Sequence, residues 1–269
     1  MDKEGDPKPT FVPGLDLAEG FFRDAVSPIL ASHMPDLQYS AALIGSGSEV
    51  LGFDTEMSTD HHWGPRAMVF LRPRDIESRG REISAILAQY LPLSYRGYST
   101  NWSKPDPDDS GVQHLCPTRR RPVNHRVDRF TVSGFFRQYL GVSVDTALSA
   151  ADWLTIPQQK LRSVCAGRVF RDDLGIGALR DRLSWYPHDV WLYVLASCWS
   201  RIGQDEHLTG RAGLVGDEVG SAIIALRLVR DIMRLAFLME RTYPPYAKWF
   251  GTAFGQLECA STLQPALGA

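Results

Sequence analysis

The run Ala41-Ala42-Leu43-Ile44-Gly45-Ser46-Gly47-Ser48-Glu49-Val50-Leu51-Gly52-Phe53-Asp54 decides the fold, with its continuation Ser58-Thr59-Asp60-His61-His62-Trp63-Gly64-Pro65-Arg66. An apolar segment, then small and glycine residues, then a polar loop reads as strand, tight turn and loop. Met68-Val69-Phe70-Leu71 supplies a second apolar run, which places Asp60 and His62 at the mouth of a second strand. Alternation along that strand points both side chains to one face if the strand begins that early. Glycine and serine allow a backbone to close around phosphate oxygens, with amide N–H groups as donors. Acidic side chains on a neighbouring strand then suit the magnesium that accompanies a triphosphate. A nucleotide-transfer site has this outline, and so does a glycine-rich surface turn beside a solvated aspartate.

Gly47-Ser48-x-Val50-x-Gly52, followed by Ser58 and Asp60, resembles the signature of the nucleotidyltransferase superfamily, a Gly-Ser turn and then a strand with paired carboxylates. Gly45-Ser46 is the other register. The whole chain resembles an uncharacterised, domain-of-unknown-function family of nucleotidyltransferase-like proteins. That resemblance is carried by Gly45 to Arg66, by Trp185-Tyr186-Pro187-His188-Asp189-Val190-Trp191, and by Pro245-Tyr246-Ala247-Lys248-Trp249-Phe250-Gly251-Thr252-Ala253-Phe254. It implies an α+β fold: a nucleotidyltransferase-type mixed sheet with helices over residues 1–141, then a helical C-terminal domain over 142–269. It also implies transfer of a nucleoside monophosphate from a nucleoside triphosphate to an unknown acceptor, with magnesium or manganese as cofactor. Gly47 and Ser48 would seat the phosphates and Asp60 would bind metal. Asp128, the third carboxylate on a later strand, would bind metal or activate the acceptor. The second acidic position is His62 here, a substitute metal ligand, and imidazole suits magnesium less well than a carboxylate does. The competing expectation is a nucleotide-binding or protein-interaction module that kept the fold and lost the chemistry.

Composition narrows the field. At 269 residues and 44% apolar, the chain has enough material for one large domain or two modest ones. A formal charge of −2 makes no case for nucleic-acid binding by bulk electrostatics. Four scattered cysteines form no CxxC pair, and no apolar run is long enough to span a bilayer. The leader Met1 to Pro9 is charged and reads as no signal peptide. A cytoplasmic setting is the simplest expectation.

In chain order, Gly14 to Leu30 has helical periodicity, with Asp16 as N-cap and a kink or stop near Pro28. A second helix is expected over Ile76 to Leu91. Asn101 to Asn124 lacks apolar periodicity and reads as a long loop. Within it, Arg119-Arg120-Arg121 is a phosphate contact or a solvated patch, and His114-x-Cys116 with His125 is a weak metal-like spacing. His125 to Val132 alternates as a third strand, with Arg126, Asp128 and Phe130 on one side. Beyond Gly141 helical periodicity dominates: Leu148 to Arg168 interrupted at Pro157, Asp189 to Ile202, and Val219 to Met239 as a buried central helix. Arg227, Arg230, Asp231 and Arg234 share one face of that helix, as an ion-pair network or as a wall facing phosphates. Lys248 neutralises phosphate charge or packs its stem on Trp249. Trp63 stacks on a base or braces the loop.

Overall fold

The computed structural model describes residues 9–60 and 62–267; the leader Met1 to Pro9 lies outside them except for Pro9. The chain divides into two compact units, one of Met1–Asp145 with Ser163–Asp181, the other of Thr146–Arg162 with Arg182–Ala269.

In the first unit, α1 (Gly14–Phe21) runs through a π-helical turn at Phe22–Val26 into α2 (Ser27–His33). The widened turn sits just before Pro28, which cannot donate to the helix ladder and crowds the preceding turn, so the irregularity expected there takes the form of a π-helical turn. Asp16 is not the N-cap. The helix starts after Pro13, and the carboxylate of Asp54 accepts the Gly14 N–H at 2.7 Å from outside the helix. β1 (Tyr39–Leu43) follows, then a 3₁₀ turn at Glu56–Asp60, β2 (Arg66–Leu71) and α3 (Pro73–Tyr90), whose first residue is a proline that needs no hydrogen-bond partner. The small hairpin of β3 (Ser94–Tyr95) and β4 (Tyr98–Ser99) leads through a long loop to β5 (Arg126–Phe130) and α4 (Val132–Leu140).

The rest of the chain is helical with one exception. α5 (Ala150–Thr155) and α6 (Gln158–Cys165) flank the break at Pro157. β6 (Arg168–Asp172) returns to the sheet, and α7 (Ile176–Leu183) follows. α8 (His188–Asp205), α9 (Leu208–Leu214), α10 (Glu218–Met239), α11 (Ala247–Phe254) and α12 (Ala260–Leu267) complete the chain.

The fold is α+β around a mixed sheet of order β5-β2-β1-β6. β1 is antiparallel to β2 and β6, and β2 is parallel to β5. Alternation sorts the side chains. Tyr39 and Ala41, Ala67, Val69 and Leu71, and Val127 join Phe21, Val26, Leu30, Ile83 and Leu87 in the main core under α1 to α3. Arg66, Met68 and Phe70, and Arg126, Asp128 and Phe130, occupy the opposite face, where Phe70 and Phe130 meet Phe135 of α4 at 5.6 and 5.4 Å.

β6 is a strand that helical periodicity hid. Its core contribution is Phe170, stacked on Phe22 at 5.6 Å, among charged neighbours that suit a sheet edge. Gly167 leads into it at φ +77°, and a Cβ there would lie 2.1 Å from the Leu43 carbonyl oxygen.

In the second unit, α10 packs against α8 and α9, but it is not buried throughout as its composition suggests. Asp231, Leu235, Ala236, Phe237 and Leu238 are buried, whereas Val219 is 72% and Leu226 70% exposed. Arg227, Asp231 and Arg234 on it are ion-paired. Arg201 grips the buried Asp231 through two hydrogen bonds of 3.0 and 2.9 Å, and Arg227 reaches Asp205 at 2.6 Å. No described helix is long and apolar enough to cross a membrane.

Candidate functional site

Three chain segments meet at one end of the sheet: the exit of β1 and the entrances of β2 and β5. The β1 exit is a tight turn because Gly45 and Gly47 take φ +91° and +142°, values that side chains beyond glycine rarely adopt. A Cβ on Gly47 would sit 2.6 Å from a Glu49 carboxylate oxygen. The Gly45 N–H is spent on the Ser163 carbonyl at 2.9 Å, and the Phe53 N–H closes the following turn onto the Ser48 carbonyl at 2.9 Å. Ser46 is exposed, with its hydroxyl 3.3 Å from that of Tyr139 on α4.

Glu49 is the buried carboxylate here, only 5% exposed. Arg66, the first residue of β2, holds it through Nε at 3.1 Å and through a second, very short contact from Nη2. The same Nη2 donates to the Ser46 carbonyl at 3.1 Å, tying the glycine turn to the strand. Across the parallel pair, Arg66 is the partner of Arg126. Burial pushes the Arg126 guanidinium below its ordinary pKa, the Asp128 charge raises it, and Arg66 lowers it again. Arg126 Nη1 donates to Gln113 Oε1 at 2.9 Å and to His62 Nδ1 at 3.1 Å. Its Nε lies 3.6 Å from Asp128 Oδ2, and its guanidinium lies 5.4 Å from the Trp102 ring. Two guanidiniums therefore balance two carboxylates in one cluster.

The residues expected at the site are distributed as follows. Asp60 and His62 do not lie on β2, which begins only at Arg66. Asp60 ends the 3₁₀ turn, exposed, with its carbonyl accepting from His114 Nδ1 at 2.8 Å. His62 has φ +53° and donates its N–H to the Gln113 carbonyl at 3.0 Å. Pro65 has no N–H for a ladder and Gly64 takes φ +146°, so the strand cannot extend back to position 60. The shared face expected from strand alternation is thus absent. Even so, His62 and Asp128 meet around Arg126. Gly47 and Ser48 border the same end of the sheet through Glu49. Lys248 belongs to the second unit, where its Nζ lies 4.9 Å over the Trp249 ring.

Other expectations resolve into structure. Trp63 is a brace: it is buried, donates to Asp54 at 2.9 Å and stacks on Phe11 at 5.8 Å. His125 spends both ring nitrogens on the fold, with Nε2 donating to the Ser84 carbonyl at 3.1 Å and Nδ1 accepting the Val127 N–H at 3.1 Å. The loop from 101 to 124 does have apolar anchors, the buried Trp102 and Val123. It supplies Gln113, which its composition does not single out, and His114, which contacts the Asp60 carbonyl instead of joining a metal site with Cys116 and His125. Glu49, Arg66 and Arg126 lie in or beside the stretches already quoted. The available signal for them was two arginines heading adjacent strands.

The donor set does not fit a divalent cation as arranged. Among the described residues no three His, Cys, Asp or Glu side chains converge into a metal-binding group. A guanidinium has no acceptor, so the His62 Nδ1 lone pair that a metal would need already accepts from Arg126.

Residues 153–250 match the family described as a domain of unknown function (DUF4037). That stretch falls mainly in the second unit; of the sheet end just described it includes Ser163, whose carbonyl accepts the Gly45 N–H, but none of the arginines or carboxylates. A crystal structure of a nucleotidyltransferase-like protein from Exiguobacterium sibiricum aligns at 11% identity over 87% of this chain and 62% of that one. Its TM-score of 0.33 is too low to establish a shared fold. No curated protein matches the chain. The family match therefore covers residues 153–250 alone, somewhat over a third of the chain, and is a match to a domain of unknown function.

Proposed function

We propose that the first unit binds a nucleoside triphosphate at the β1 exit, as a nucleotidyltransferase-like nucleotide-binding protein in a cytoplasmic setting. The observation that carries this is the pair of guanidiniums, Arg66 and Arg126, heading adjacent strands beside a turn of positive-φ glycines. Backbone at Gly47 and Ser48 would border the phosphates, and a guanidinium fork suits phosphate oxygens. The two arginines are not equivalent. Arg66 is locked to the buried Glu49, whereas Asp128 is 42% exposed and lies 3.6 Å from Arg126. Arg126, whose carboxylate partner is the more exposed of the two, is therefore the one better placed to share its charge with a phosphate. Lys248 is a further candidate contact, supported by the resemblance of its segment alone.

A second reading is transfer of a nucleoside monophosphate to an acceptor, with magnesium or manganese and with Asp60, His62 and Asp128 as ligands. It is favoured by one observation, that His62 and Asp128 flank a single cation. Calorimetric titration with ATP, GTP, CTP and UTP, coupled to pyrophosphate detection, tests both. At least one triphosphate should bind, and Gly47→Val should weaken it by roughly tenfold or more, because the turn cannot keep its shape. Pyrophosphate release requiring Asp60 would establish the second reading. No binding of any triphosphate would refute both.

A further inference from the structure

We propose that Arg126 is the resident cation of this site, holding His62 and Asp128 in place of a divalent metal ion. Two of the three groups that the signature would offer to a metal face one guanidinium: His62 Nδ1 at 3.1 Å from Nη1, and Asp128 Oδ2 at 3.6 Å from Nε. The arrangement is built on several sides. Gln113 Oε1 accepts from the same Nη1 at 2.9 Å, and the buried Trp102 presents its ring at 5.4 Å. Of the neighbouring charges, Arg66 repels the guanidinium, while Glu49 and Asp128 attract it. A histidine in the second acidic position agrees with this. Next to an arginine a neutral acceptor completes the hydrogen bonding, while a third carboxylate would bring an excess negative charge into a half-buried cluster.

This deepens the nucleotide-binding reading but is tested apart from it, with manganese alone as the probe and the full chain as the protein. Electron paramagnetic resonance titration should show no stoichiometric manganese binding by the wild type up to about 1 mM, a range that covers functional divalent sites. Arg126→Gln removes the guanidinium between His62 and Asp128 and should bind manganese at least tenfold more tightly than the wild type, and adding His62→Ala should abolish the gain. ¹⁵N spectra of wild-type His62 should show an unprotonated, hydrogen-bonded Nδ1 at neutral pH. One manganese bound per wild-type chain and lost in His62→Ala would overturn the idea. So would a cooperatively folded Arg126→Gln that gains no manganese. If Arg126→Gln does not fold, the wild-type titration and the His62 spectrum decide between the same two outcomes. Failure of the wild type to bind any nucleotide would count against the proposed function only, since no manganese measurement involves one.

Discussion

Glu49 and Arg66 stand 17 positions apart in sequence, yet they form the most buried ion pair at the sheet end, with side chains 6% and 12% exposed. Breaking such a pair from one side is worse than removing it whole, because the remaining charge stays buried without a partner. Arg66→Met should therefore destabilise the first unit by about 3 kcal/mol or more. The double variant Glu49→Leu with Arg66→Met should recover part of that loss, as urea melts of the four cycle members would show. Equal losses in the single and double variants would mean that Arg66 stabilises only through Ser46. Neither partner could be paired from sequence, since the choice is made by the turn that folds Glu49 back toward β2. The glycines of that turn, by contrast, were legible, because positive-φ positions leave a mark in residue type.

Among the elements, β1, β2 and α3 were readable because each has a clean apolar pattern with turn residues at its ends, and β5 was readable from its alternation, although three of its five residues are charged. The register at Asp60 and His62 was not, because Gly64-Pro65 delays β2 and a 3₁₀ turn takes its place. β6 was hidden for a different reason: it follows directly on α6, so the helical reading of Leu148 to Arg168 ran into its first residue. Its attachment depends on one glycine. At Gly167 any side chain meets the Leu43 carbonyl oxygen at 2.1 Å with φ at +77°. Gly167→Ala should cost about 2 kcal/mol or more and raise amide exchange along Arg168–Asp172 before the rest of the sheet. Uniform exchange across the sheet, or a stability equal to wild type, would show that this edge tolerates displacement. Asp172 secures the other end of the strand, accepting from the Ser40 hydroxyl at 2.9 Å and from the Ile176 and Gly177 N–H groups that begin α7. Burial works against its charge, but these three donors hold its carboxyl below the ordinary value.

At the scale of the molecule, the helical character of the C-terminal part was plain from periodicity, and the family match at residues 153–250 lies largely there. The candidate site lies in the other unit, in a stretch whose chemistry comes from side chains far apart in sequence. A net charge of −2 gives the chain no long-range attraction for a polyanion. Nucleotide recognition therefore has to come from local, directional groups, the guanidiniums of Arg66 and Arg126 and the backbone of the glycine turn. The direct measurement is a ¹H–¹⁵N correlation spectrum of the full chain titrated with ATP, with and without magnesium. Shifts concentrated at Gly45 to Glu49, His62, Arg66 and Arg126, including the arginine Nε resonances, are expected. Saturable shifts confined to the helices of the second unit, or no shifts at any concentration, would contradict nucleotide binding at the sheet end.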